Sequence, residues 1–273
     1  MQSTLPMPPI VAFSLHVQWA DMERAVEAVA EAGFDGIGWA VRPTAHIEPE
    51  EVATGLARAV KIAHAAGLAT PEIITTISEA SSPFANEILA TMRELGIRHY
   101  RASAGRYDYD APVAAQLDAQ KRRFEGLAAL NARYDTTAMF HTHSYFNGIG
   151  GMVWDMWMLM KDLDPRHIGI NFDIGHVMAK AGAGWREAAR IARPYVHALS
   201  TKDFIWERHA DAAPGEWPWY TRFVRHGDGM VDYEGCFRYF QSTGFEGPII
   251  PYFEYVVDVP GAVRAEALAA GRA

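Results

Sequence analysis

The chain repeats one pattern: apolar residues at helical spacing, then a glycine, then a short apolar run. Residues 22–32 end at Gly33 and lead into Phe34-Asp35-Gly36-Ile37-Gly38-Trp39. Residues 52–66 end at Gly67 before Leu68-Ala69-Thr70, and residues 87–95 end at Gly96 before Ile97-Arg98-His99-Tyr100. Residues 237–243 end at Gly244 before Phe245 and Pro248-Ile249-Ile250. Glycine directly after a helix takes the left-handed cap conformation at little steric cost. Helices alternating with short apolar strands predict parallel βαβ units.

Eight strands follow from this pattern, near residues 10–16, 36–40, 68–74, 99–103, 137–143, 168–173, 196–201 and 248–254. Eight βα units in 273 residues predict an α/β fold built as a single (β/α)₈ TIM barrel. The rival, an open doubly wound sheet, would carry a Gly-rich nucleotide fingerprint after its first strand, and none is present. No linker or charge run divides the chain, so residues 1–273 are read as one domain.

Composition narrows the function. The formal net charge is −8, and no basic face of the kind nucleic acid requires is visible. The densest basic run, Lys121-Arg122-Arg123, sits in a helical stretch and reads as a solvated face. The lone cysteine, Cys236, permits no internal disulfide and suits a reducing cytosol. It reads as a core residue, not a nucleophile. The N-terminus lacks the charged-then-apolar layout of a signal peptide, and no apolar run reaches about 18 residues. The expectation is a cytoplasmic protein without nucleic-acid or membrane partners.

Polar residues collect at the predicted C-terminal ends of the strands: His16, Arg42, His141, His143, Asp173, His176, Lys202 and Glu254. That rim is the catalytic face of a barrel. Asp173-Ile174-Gly175-His176 can turn a carboxylate and an imidazole toward the mouth as metal ligands, or the Asp can simply cap the next helix beside a solvated His. His141 and His143 share one side of their strand by period-two alternation, which suits metal binding or proton transfer. Glu254 lies in the apolar run Tyr252-Phe253-Glu254-Tyr255 and needs a cation to offset its burial. That cation is either a metal or a salt-bridge partner such as Lys202. Lys202 can itself stabilise a developing oxyanion. His16, Arg42 and His46 are candidate substrate contacts. So is Trp206, within a long segment, 204–231, that also carries Trp217, Trp219 and Tyr220. Such a segment reads as a lid over a sugar or as an oligomer interface. The other histidines and the Trp/Met stripe at 152–160 read as packing.

Together these residues resemble the sugar phosphate isomerase/epimerase family of xylose isomerase-like barrels. The carriers are His16-Val17-Gln18-Trp19, Val41-Arg42-Pro43 with His46, and Phe140-His141-Thr142-His143-Ser144. They continue with Phe172-Asp173-Ile174-Gly175-His176, Lys202-Asp203-Phe204, Gly227-Asp228-Gly229-Met230-Val231-Asp232 and Phe253-Glu254-Tyr255. The resemblance spans nearly the whole chain. It implies one divalent ion, held by a Glu, an Asp, a His and a Glu at the ends of strands five to eight. Asp173 and Glu254 match; His141 stands where the first Glu is implied and Ser200 where the His is implied. The ion would then rest on His141, Asp173, Glu254 and His176, a set suited to manganese first, with magnesium, cobalt or zinc as alternatives.

The expected chemistry is sugar isomerisation or epimerisation. Lys202 and the ion polarise a carbonyl, and His143 or Glu254 removes the adjacent proton to give an enediolate. Family epimerases use two carboxylates on opposite faces of the carbon, and one of that pair is missing here. Elimination from a keto-sugar or keto-glycoside, by a lyase or dehydratase, is therefore the second expectation. A non-catalytic carbohydrate-binding barrel is the third. The abasic-site endonuclease branch of the fold is disfavoured by the charge of −8 and the missing ligands. The partner expected is a small sugar or sugar derivative, with a homo-oligomer as a further expectation.

Overall fold

A computed structural model describes residues 7–256. The eight expected strands are all present in one sheet. They are β1 (Val11–Phe13), β2 (Gly36–Val41), β3 (Glu72–Thr75), β4 (His99–Ala102), β5 (Thr137–His141), β6 (Ile168–Asp173), β7 (Val196–Thr201) and, after an inserted hairpin, β10 (Ile249–Pro251). They pair in parallel in the order β1-β2-β3-β4-β5-β6-β7-β10. A parallel bridge between Ile10 and Ile249 brings the last strand back to the first. The sheet is thus a nearly closed TIM barrel, as expected.

Helices α1 (Met22–Glu31), α2 (Val52–Ala65), α3 (Ala85–Glu94), α4 (Val113–Tyr134), α5 (Trp154–Met160), α6 (Ile174–Ala181), α7 (Trp185–Ala192) and α8 (Tyr233–Ser242) connect the strands. Local chemistry sets their ends. Asp21 caps α1 by accepting the Arg24 N–H at 2.9 Å. Gly33 and Gly67, one residue past the caps of α1 and α2, both sit at φ 80°, where a Cβ would be strained.

Two apolar layers divide the core. Val11, Phe13, Ala40, Ile74, Met139, Ala198, Ile250 and Tyr252 pack together inside the barrel. The larger layer lies between strands and helices. In it Phe124 of α4 stacks on Phe140 of β5 with centroids 3.9 Å apart. Burying each such ring contributes about 2–3 kcal/mol. A buried amide fastens α4 to the sheet: Asn131 accepts from Tyr100 Oη (2.9 Å) and Thr136 Oγ1 (3.1 Å), and donates to the His167 carbonyl (2.8 Å).

The segment read as a long lid is an ordered antiparallel hairpin. Its strands are β8 (Asp203–Arg208) and β9 (Trp219–Val224), paired from Asp203↔Val224 to Arg208↔Trp219. Asp203 anchors it: the buried carboxylate accepts the N–H groups of Phe204, Gly227, Gly229 and Val231 at 2.9–3.2 Å.

Candidate active site

Strand alternation decides what reaches the barrel mouth. Met139 faces the interior, so His141 and His143 follow it on the same side. Ala198 is followed by Ser200 and Lys202, Ile250 by Tyr252 and Glu254, and Ala40 by Arg42. From β4 Arg101 joins them. Asp173 closes β6 and caps α6, accepting the His176 N–H through Oδ1 at 2.9 Å. The capping reading of Asp173 is thus correct. Its other oxygen, Oδ2, meets His141 Nε2 at 3.0 Å and Lys202 Nζ at 3.5 Å.

Lys202 is the centre of the cluster. Its ammonium donates to Glu254 Oε1 at 2.5 Å and to His176 Nε2 at 2.9 Å, and its side chain is 2% exposed. The rings of Tyr252 and Phe223 flank it, with centroids 4.9 and 5.1 Å from Nζ. The alternative raised for Glu254, a salt bridge to Lys202, is present.

The partners fix the tautomers. His141 gives its Nε2 proton to the Asp173 carboxylate, leaving Nδ1 with a lone pair and no hydrogen-bond partner among the described residues. His143 Nδ1 donates to the His141 carbonyl at 3.1 Å, and its Nε2 accepts from Arg101 Nη2 at 3.0 Å. His176 accepts from Lys202 at Nε2 and donates from Nδ1 to Ser144 Oγ at 2.8 Å. Burial, then the charge of Arg101, holds His141 well below the usual imidazole range. Burial dominates for His176 as well. Burial and the charges of Arg101 and Lys202 bring His143 down to about 3. All three rings are therefore neutral near pH 7, each with one lone pair: bare on His141 Nδ1, engaged by Arg101 on His143 and by Lys202 on His176.

Beside the cluster lies a cavity of about 220 Å³, lined by Arg42, Thr75, Arg101, Ser103, His143 and Tyr145 among others. Two guanidiniums thus face one space. Burial and the charge of Arg101 lower the pKa of Arg42. Arg101 Nη1 also donates to Tyr252 Oη at 2.8 Å.

Of the residues singled out from sequence, His141, His143, Asp173, His176, Lys202 and Glu254 are brought together, with Arg42 on the adjoining cavity. His16 lies at the edge, its ring against Phe13, Tyr252 and Phe253. His46 stands apart: its ring packs on Trp39 and its Nε2 meets the Ala20 carbonyl at 3.1 Å. Trp206 also stands apart, on β8, edge-on to Phe204. The hairpin reaches the cluster through Phe223 instead, 5.6 Å from the His176 ring. Arg101, Tyr252, Ser144 and Phe223 are not singled out from sequence as site residues. Inward parity on β4 and β10 is a signal for the first two; Phe223 has none, because the hairpin's pairing is not legible in advance.

Residues 26–269 match the sequence profile of the xylose isomerase-like TIM barrels. The chain belongs to that family. No curated protein matches this xylose isomerase-like barrel in sequence. Among solved structures, the 3-keto-D-glucoside 4-epimerase YcjR from E. coli superposes with a TM-score of 0.71 at 13% identity, covering 97% of this chain and 99% of that one. The probable 3-DHS dehydratase AsbF from Bacillus anthracis gives 0.71 at 16% identity, covering 95% and 97%. A xylose isomerase-like TIM barrel protein from Mycobacterium smegmatis, in complex with magnesium, gives 0.66 at 17% identity, covering 98% of each chain.

The barrel has residues that could hold a metal ion: one ring nitrogen each from His141, His143 and His176, all within 4.8 Å of one another. Imidazoles with nearby carboxylates suit a borderline divalent ion, and the bare Nδ1 of His141 is a buried donor awaiting a partner. Ser200, at the implied His position, has its hydroxyl engaged, Oγ donating to Asn171 Oδ1 at 2.6 Å. Among the described residues, no helix is long and apolar enough to cross a membrane.

Proposed function

We propose that this protein is an isomerase- or epimerase-type enzyme that removes a proton beside the carbonyl of a small sugar or sugar derivative. The observation that carries this reading is the cluster at the C-terminal mouth of the barrel: a buried ammonium, two carboxylates and three neutral imidazoles beside a cavity with two guanidiniums. Membership of the family supports it, as does the fold shared with a 3-keto-D-glucoside 4-epimerase.

In this reading the substrate enters the cavity, where Arg42 and Arg101 orient its oxygens. Lys202 faces the carbonyl oxygen and stabilises the negative charge that develops there. His143 is the base. Its Nδ1 proton is committed to the His141 carbonyl, so Nε2 carries the basic pair, which Arg101 Nη2 must release before a proton is taken. Burial first, then the charges of Arg101 and Lys202, depress its basicity. An enediolate formed between those cations offsets their charge and raises the basicity of Nε2 during the transfer. Glu254, paired with the Lys202 ammonium at 2.5 Å, is the second proton carrier. His16, at the edge of the cluster, is proposed as an outer substrate contact; His46 and Trp206 stand apart from it.

A divalent ion, manganese first, then magnesium, cobalt or zinc, would draw on His141, Asp173, His176 and Glu254 and would supply a Lewis acid at the carbonyl, but only once the Lys202 ammonium leaves those donors. A second reading rests on His141, which replaces one of the two carboxylates an epimerase needs. With one base on one face, elimination of a β-leaving group becomes the competing outcome. The fold shared with a probable 3-DHS dehydratase fits it. Small ketoses and keto-glycosides, incubated with the enzyme and followed by chromatography and enone absorbance, separate the two. New isomers support the first reading, enone formation the second. No turnover of any of them would overturn both.

A further inference from the structure

We propose that Lys202 is the resident cation of this site. Its ammonium takes the position between Asp173, His176 and Glu254 that a divalent ion needs, and an ion gains those donors only when the ammonium leaves. The inference rests on the reading of the barrel mouth as the active site.

Three observations point to it. First, three of the four candidate ligand side chains are already engaged by the ammonium. Lys202 Nζ lies 2.5 Å from Glu254 Oε1, 2.9 Å from His176 Nε2 and 3.5 Å from Asp173 Oδ2. Those are three of the four side chains that would hold an ion; the fourth, His141, points Nε2–H at Asp173 and keeps only Nδ1 without a partner among the described residues. Ser200 adds no ligand, since its hydroxyl is bound to Asn171. Second, the surroundings are those of an ammonium. Tyr252 and Phe223 present their rings at 4.9 and 5.1 Å from Nζ, a cation–π arrangement. Third, the fold makes room for the lysine stem. A Cβ on Gly175 would stand 2.7 Å from Lys202 Cγ, so the glycine of the Asp173-Ile174-Gly175-His176 turn is what lets Lys202 lie along α6 and reach the cluster.

Charge argues the same way. Two carboxylates, Asp173 and Glu254, face two cations, Lys202 and Arg101, and Arg101 Nη2 lies 3.0 Å from His143 Nε2. A divalent ion added to this set would sit within contact range of an ammonium at low local dielectric, a strong repulsion. The stabilisation of an enediolate oxygen would then come from Lys202 itself.

The test is metal binding by the full chain, measured without reference to turnover. Wild type, Lys202→Met and Lys202→Arg are stripped with chelator, titrated with MnCl₂ and ZnCl₂ by calorimetry, and analysed for metal after desalting. The expected result is little or no retained ion in wild type and Lys202→Arg. Lys202→Met should retain one equivalent, at least about tenfold tighter, because the repelling charge is gone. One equivalent held by wild type as tightly as by Lys202→Met overturns the proposal. So does the absence of binding by all three. A wild-type readout stands if Lys202→Met does not fold: the ¹⁵N signal of the buried ammonium, assigned by its loss in Lys202→Arg. It should survive Mn²⁺ unbroadened, and its disappearance on adding Mn²⁺ overturns the proposal. Failure of the catalytic reading would leave these binding results unchanged, and tight metal binding would leave the proton-transfer reading standing.

Discussion

Gly175→Ala perturbs the point where the two halves of the cluster meet. Gly175 lies in the first turn of α6, one residue before His176, and its Cα faces the end of β7. A Cβ there would come within 2.7 Å of Lys202 Cγ and 3.1 Å of Lys202 C, and closer still to the Lys202 carbonyl oxygen. Backbone cannot rotate aside as a flexible side chain can, so α6 and the β7 end must separate by something near an ångström. Overpacking of this kind costs about 1–3 kcal/mol. A loss of about 2 kcal/mol lowers Tm by roughly 4–8 °C in a chain of this size. The same displacement moves His176 and Lys202 apart, and misplacement on that scale reduces turnover about 100-fold. Gly126→Ala is the control. That glycine lies exposed within α4, and its nearest neighbour to an added Cβ is Ala80 at 3.9 Å. The substitution should stabilise by about 0.5–1 kcal/mol through helix propensity. Thermal unfolding and turnover of both variants are the assay. Gly175→Ala matching wild type in Tm and rate would refute the close-packing argument.

Two further outcomes are expected. Asp203→Ala removes the acceptor of four backbone N–H groups. It should cost about 2–3 kcal/mol and raise hydrogen exchange at Gly229 and Val231; unchanged protection there would contradict the anchoring role. Glu72 is 1% exposed, neither carboxyl oxygen has a hydrogen-bond partner among the described residues, and burial raises its pKa to about 8. A raised carboxyl pKa favours the folded state below the unfolded value of 4.5 and loses that advantage as pH rises toward 8. Across that window wild-type stability should fall, by about 1.4 kcal/mol per pH unit at most, relative to Glu72→Gln, which lacks the titrating proton. Parallel urea stability curves for the two proteins from pH 5 to pH 8 would refute this.

Much of the barrel is legible in the chain because its signals are local. Glycines 33, 67, 96 and 244 follow helices and all adopt positive φ, so the helix ends announce the next strand. Strand parity then carries His141, His143, Lys202 and Glu254 to one rim. What is not legible depends on contacts between distant segments. Trp206 looks like a lid residue in sequence, yet the β8–β9 register sets it two residues farther along the hairpin than the Phe204–Phe223 pair, and Phe223 is the ring that meets His176. His46 looks like a rim residue, but the loop before α2 folds it onto Trp39. Sequence also groups His141, Asp173, His176 and Glu254 as four donors around an ion. Lys202 is legible as a partner for Glu254, but nothing in the spacing tells that its stem, passing over Gly175, also carries the ammonium to His176 and Asp173.

The central claim is proton removal beside a carbonyl by His143. Its most direct test is solvent exchange: wild type and His143→Gln are incubated in D₂O with small ketoses and keto-glycosides, and the proton next to the carbonyl is followed by NMR. The account predicts deuterium incorporation by wild type, with or without net product, and its loss in a folded His143→Gln. Incorporation at an undiminished rate in His143→Gln, or none in wild type with any of these carbonyl compounds, would contradict it.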